Sequence, residues 1–131
     1  MKIDGSCHCG NITFEAEVDP DQVLLCHCTD CQTLSGSAYR SVAPVSGDSF
    51  RLLCGELTTY IKIAEDGTPR QQTFCPQCGT PVYAGPIDGQ SGMLGLRVGA
   101  ITQRDQLPPR QQYYCASAQP WVQDLSALPR R

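Results

Sequence analysis

Between residues 12 and 18 the chain alternates strictly, with Ile12, Phe14, Ala16 and Val18 apolar and Thr13, Glu15 and Glu17 polar. A period of two sends alternate side chains to opposite faces of an extended backbone, so this segment predicts a strand with one buried face. Asp19, Pro20 and Asp21 break it. Val23, Leu24 and Leu25 then lead into Cys26, which places a cysteine cluster at a strand end. Residues 29–36 predict a turn or one short helical piece stopping at Gly36. Tyr39 to Val45 predicts a strand closed by Pro44 and the Ser46-Gly47-Asp48 turn, Phe50 to Cys54 one that Gly55 interrupts, and Leu57 to Ile63 another. Asp66-Gly67, inside EDGTP, is a hairpin signal. Val82 to Ala84 and Met93 to Val98 add short strands punctuated by Gly85, Pro86, Gly89, Gly92 and Gly95. Near the end, QQYYC and PWVQDL predict a strand and a closing turn of helix.

No segment carries the apolar period of a long amphipathic helix, and no internal repeat occurs. Many short, turn-bounded strands predict a mainly β fold, expected as a single domain over residues 1–131. Such a core is thin, and a chain of this length can bury only about two thirds of the surface it exposes when unfolded. Extra staples would help it.

Charge narrows the classes of partner. Ten Lys and Arg against thirteen Asp and Glu leave a net charge of −3, which provides no field for a phosphate backbone, so no nucleic acid is expected. The opening MKIDGSCHC has no apolar core of a signal peptide, and no apolar run approaches the roughly eighteen residues of a membrane span. The expectation is a cytoplasmic protein without membrane contact.

Nine cysteines change the picture most. An odd number leaves one thiol over in any complete intramolecular disulfide framework, and a reducing compartment disfavours such a framework, so metal is the default reading. Seven of the nine form three clusters: Cys7-His-Cys9, Cys26-His-Cys28-Thr-Asp-Cys31 and Cys75-Pro-Gln-Cys78-Gly79. Two pairs can build a closed four-thiolate zinc site, and CPQCG has the shape of one half of it. Counting ligands then leaves Cys26, Cys28 and Cys31 as a three-thiolate site. An incomplete shell is how a protein keeps one position on zinc free for water or substrate. If residues 26–28 are extended, His27 points away from the two sulfurs beside it, and the same geometry removes His8 from the first pair. His27 can then pack, support the site from behind, or act as acid and base; ligation of the metal is the further alternative. Asp30 and Cys115 are the plausible fourth ligands. Cys54 and Cys115 are otherwise expected to be buried thiols, and Trp121 a core plug.

The segments GSCHCG at 5–10, CHCTDC at 26–31, SGSAY at 35–39, TFCPQCGTPVY at 73–83, LRVGAI at 96–101 and SAQPWV at 117–122 together resemble the glutathione-dependent formaldehyde-activating enzyme family, which also contains centromere protein V. The resemblance spans nearly the whole chain. It implies a beta-tent fold of several short coiled antiparallel sheets pinned by two zinc ions. It puts the structural ion on Cys7, Cys9, Cys75 and Cys78 and the catalytic or labile one on Cys26, Cys28 and Cys31. The implied activity is carbon-sulfur lyase chemistry, in which a small thiol such as glutathione adds reversibly to a small aldehyde, giving S-hydroxymethylglutathione from formaldehyde. His27 and Tyr39 are the candidate proton carriers. Arg40, Arg51, Arg70, Arg97 and Arg110 are available for the carboxylates of glutathione, with nothing in the sequence to choose among them. Where family members often carry a histidine-containing segment, this chain has Gln112, Tyr113 and Tyr114. The alternative is a non-catalytic, zinc-stabilised protein-binding or scaffolding domain using Trp121, Tyr113 and Tyr114.

Overall fold

The computed structural model describes residues 1–88 and 92–131, so Gly89, read as a turn glycine, lies outside the described residues. These residues form ten strands, one α-helix and several 3-10 turns. A three-stranded sheet runs β1-β2-β5, with β1 at Lys2–Ser6, β2 at Thr13–Glu17 and β5 at Arg51–Cys54. The seven-stranded sheet has the order β10-β3-β4-β9-β8-β7-β6. Its strands are β3 (Leu24–Cys26), β4 (Arg40–Ser46), β6 (Thr58–Ile63), β7 (Pro69–Phe74), β8 (Pro81–Pro86), β9 (Met93–Arg97) and β10 (Gln111–Tyr113). The fold is mainly β, as the alternation predicts. Pairing is antiparallel throughout except between β10 and β3, which run parallel.

Ile12, Phe14, Ala16 and Val18 are all buried, the face predicted from their spacing. They join Ile3 and the inward residues Ala43, Val45, Val82, Leu94 and Leu96 of the large sheet in one core between the sheets. The reverse face of the large sheet carries a second, smaller cluster of Leu24, Cys26 and Val42, with Cys28 and Cys31 packed against it. One face therefore stabilises the fold and the other holds a cysteine group.

The helix α1 (Thr29–Ser35) starts where the Cys28 sulfur accepts the Cys31 backbone N–H at 3.3 Å, and it ends at Gly36 in the left-handed region. Its stop is where the sequence puts it. Two strands escape a reading based on periodicity, because KIDGS of β1 contains one large apolar residue and PRQQTF of β7 one. They are recruited by their neighbours' ladders. Pro44 does not close β4, which runs through it to Ser46. β3 pairs only as far as Val42, leaving Pro44 beside β9 alone, an edge-like setting that tolerates a missing N–H.

Three burial expectations need correction. Cys54 is exposed because β5 is an edge strand with all four residues exposed. Cys115 is exposed in a 3-10 turn, and Trp121 is 56 % exposed in the last one, both outside the core between the sheets.

Gly5 of β1 faces the core so closely that a Cβ there would overlap the Phe14 ring and the Ala100 carbonyl oxygen. Backbone cannot step aside as a flexible side chain can. Gly5→Ala is expected to cost about 2 to 3 kcal/mol and to lower the melting temperature by roughly 10 °C, read by circular dichroism.

Candidate metal centres and their surroundings

Cys7 and Cys9 lie on the turn after β1, and Cys75 and Cys78 on the turn after β7. Each turn closes on a glycine with positive φ, Gly10 at 84° and Gly79 at 78°. Folding brings the four sulfurs within 4.8 Å of one another. Zinc held tetrahedrally at about 2.3 Å keeps its sulfurs about 3.8 Å apart. Here Cys7 Sγ is 3.6 Å from Cys9 Sγ, which is 3.8 Å from Cys75 Sγ. The donor set fits a closed tetrahedral metal site. Backbone N–H groups point at its sulfurs, Ile12 donating to Cys7 at 3.2 Å and Gln77 to Cys75 at 3.4 Å. Such donors favour thiolate over thiol. The Thr80 hydroxyl, 3.2 Å from Cys78 Sγ, and the Thr80 backbone N–H pull the Cys78 thiol down to about 5. For Cys9 the Asn11 backbone N–H works in that direction too, but desolvation and the sulfurs of Cys7, Cys78 and Cys75 outweigh it and push the thiol up to about 12. Crowded sulfurs hold protons that a cation would displace. His8 is exposed and outside the group.

The second group is Cys26, Cys28 and Cys31, whose sulfurs also lie within 4.8 Å of one another. Among the described residues no fourth His, Cys, Asp or Glu atom joins it. Asp30 turns instead to Lys62 Nζ at 2.7 Å, and Cys115 stays on the surface. Burial, with the sulfurs of Cys26 and Cys28, pushes Cys31 up to about 12. Burial also raises Cys28, but the Cys31 backbone N–H, the neighbouring sulfurs and the Lys62 charge outweigh it, so that thiol is lowered. The group can hold a metal ion from three sides.

Strand register explains what surrounds these sulfurs. Residues opposite one another in a ladder share a face. Cys26 faces Arg40 across β3 and β4, Val42 faces Arg97 across β4 and β9, and Tyr60 faces Gln72 across β6 and β7. Gln72 Oε1 accepts hydrogen bonds from both guanidiniums, at 3.3 Å from Arg40 Nη1 and 3.0 Å from Arg97 Nη2. Asp30 ties α1 to Lys62 of β6, so the helix lies over this face. Beneath it is a cavity of about 160 Å³ lined by Leu34, Arg40, Tyr60, Gln72, Phe74 and Arg97, among others.

His27 and Tyr39 come together, but on the other side of β3. The two rings meet edge to face with centroids 5.6 Å apart, and His27 Nε2 is 2.8 Å from Gln112 Oε1. Both line a second cavity of about 590 Å³ with Leu25, Arg110 and Gln111. Leu25 and His27 share that side while Cys26 and Cys28 share the opposite one, which is the alternation the sequence suggests. His27 is 1 % exposed. His27→Ala should therefore cost about 3 kcal/mol through the cavity it leaves, measured by denaturant unfolding, with metal stoichiometry unchanged.

The glutathione-dependent formaldehyde-activating enzyme family matches residues 2–117, which include all seven clustered cysteines. The chain belongs to this family. A protein of Halomonas elongata named "Putative glutathione-dependent formaldehyde-activating enzyme" is 28 % identical over 88 residues, covering 63 % of this chain and 55 % of that protein. The chain thus matches little more than half the length of that relative. A crystal structure of a Rhodobacter sphaeroides protein aligns with a TM-score of 0.64 at 22 % identity, covering 83 % of this chain and 98 % of that one. That likeness concerns the fold.

Within this family member, the sequence alone does not single out Gln72, Lys62 or the pairing of Arg40 with Arg97. β7 has no apolar period, and the four strands that carry these residues, β4, β6, β7 and β9, meet only through the sheet order. Arg40 and Arg97 could be named in advance only as two of several arginines. No helix among the described residues is long and apolar enough to cross a membrane.

Proposed function

We propose that this family member is a zinc-dependent carbon-sulfur lyase acting on a small thiol adduct, forming or cleaving S-hydroxymethylglutathione from glutathione and formaldehyde. The observation that carries this reading is the unequal completeness of the two thiol groups: four sulfurs close around one point, whereas three sulfurs lie near a cavity under α1. Cys7, Cys9, Cys75 and Cys78 would hold a structural ion, and Cys26, Cys28 and Cys31 a catalytic one. When bound there, zinc supplies Lewis acidity and lowers the pKa of a thiol brought to its free side. In the forward direction the sulfur of the thiol bonds to the aldehyde carbon, and the thiol proton ends on the new hydroxyl oxygen. Cleavage reverses both changes.

The chain's own groups orient this addition and handle its charge. Burial first lowers the Lys62 ammonium pKa, but the Asp30 carboxylate beside it outweighs this and raises it, so it remains a cation able to stabilise negative charge on the carbonyl oxygen. In this reading His27 and Tyr39, which line the second cavity across β3 from the three sulfurs, carry the hydroxyl proton by relay and not by direct contact with the substrate. A His27→Gln variant with unchanged turnover would remove His27 from it, and Tyr39→Phe tests Tyr39 in the same way. All nine cysteines are free thiols, which supports a reducing, cytoplasmic location, and residues 1–131 are read as one domain.

The test is exchange between formaldehyde hydrate and S-hydroxymethylglutathione, followed by carbon-13 NMR on zinc-reconstituted protein. Acceleration well above the uncatalysed rate is expected. The same rate with and without protein, for glutathione and for smaller thiols alike, sinks the enzyme reading.

A further inference from the structure

Buried arginines are ordinarily matched by carboxylates, because an unpaired charge away from water is costly. Arg40 is 6 % exposed, and Arg97 is half-buried, with its Nε out of reach of solvent and without a hydrogen-bond partner. Among the described residues neither guanidinium has a carboxylate partner. Both lean instead on one neutral acceptor, Gln72 Oε1. Burial, followed by the Arg40 charge, pushes the Arg97 guanidinium down to about 9, which leaves it protonated at neutral pH. Two cations therefore share one amide oxygen at the wall of a cavity whose other sides, Leu34, Tyr60, Phe74 and Pro81, offer mainly carbon. An anion between the guanidiniums would relieve their repulsion, and planar forks match a carboxylate best.

We propose that the cavity under α1 is a carboxylate subsite, in which Arg40 and Arg97 hold the acid group of a thiol whose sulfur reaches Cys26, Cys28 and Cys31. The cysteines are close by in the fold: Arg40 is the ladder partner of Cys26, and Leu34 stands one helical turn beyond Cys31 on α1. The thiol half of this assignment rests on the proposed lyase function, whereas the anion half does not. Size limits the ligand. At about 160 Å³ the cavity is well below the roughly 300 to 1,000 Å³ of pockets that enclose drug-sized ligands. The space takes a carboxylate on a few carbons, so the ligand is either a short mercapto acid or one acid arm of glutathione with the rest of the tripeptide outside.

Isothermal titration of the zinc-reconstituted chain with 3-mercaptopropionate, 2-mercaptoethanol, propionate and glutathione tests this. The mercapto acid is expected to bind at least tenfold tighter than the neutral thiol. Arg97→Gln should abolish that advantage, while Arg51→Gln, on the exposed edge strand, should keep it. If glutathione weakens with the mercapto acid in Arg97→Gln, the site takes its acid arm. Unchanged glutathione binding there assigns the site to free mercapto acids. Propionate binding that Arg97→Gln removes, with no affinity for either thiol, supports the anion subsite while overturning the lyase function. Equal binding of 3-mercaptopropionate and 2-mercaptoethanol to the parent protein overturns the subsite and leaves the two guanidiniums as counter-charges to the thiolates. That comparison needs no variant to fold.

Discussion

Removing metal from Cys7, Cys9, Cys75 and Cys78 is expected to unfold the protein. The first two cysteines follow β1 of the small sheet and the last two follow β7 of the large one, so a shared ion cross-links the sheets across more than sixty residues of chain. Cys7 and Cys75 are also part of the core between them. A structural zinc site can contribute on the order of 10 kcal/mol, comparable with the whole stability of a typical domain, about 5 to 15 kcal/mol. Chelation in reducing buffer should abolish the cooperative thermal transition seen by circular dichroism, and zinc should restore it. Cys75→Ser should behave like the chelated parent, whereas Cys54→Ser, on the exposed edge, should match the untreated protein. Acidification should act in the same direction as chelation, because protons compete with the ion for the four sulfurs. A metal-free chain that melts as the loaded one does would show that the core is sufficient alone.

Loss of the second group should have a different outcome, with activity falling and the fold persisting. Cys28→Ser removes one of three sulfurs from a cluster that includes only Leu24, Cys26 and Val42 as buried members, outside the main core. Native mass spectrometry of reconstituted protein should show two zinc ions in the parent and one in the variant. The melting temperature should fall by only a few degrees, and the exchange of formaldehyde with glutathione should slow by at least a hundredfold, since disturbing even the partners of metal ligands costs about 10 to 100-fold. One zinc in both proteins would eliminate the three-sulfur site as a metal centre. Two in both would mean that Cys28 is not a ligand.

Much of this protein is determined by sequence-local physics. The alternation from Ile12 to Val18 is sufficient to bury one face of β2, and Gly36 is sufficient to end α1. The spacing of CPQCG places Cys75 and Cys78 on one tight turn, and the extended stretch at residues 26–28 is enough to separate His27 from its neighbouring sulfurs. These features depend on neighbours a few residues away, so a period of two or a positive φ determines them. The tertiary structure decided the rest. Cys54, in the β5 edge strand, is exposed although its spacing resembles that of a buried residue, because burial depends on what packs over a strand. β7 is polar and is a strand through pairing with β6 and β8. Arg40 and Arg97 look like ordinary surface charges until β4 and β9 set them beside Gln72 and α1 covers the face. Which cations become a site depends on strand order and register, and these arise from contacts between residues far apart in the chain.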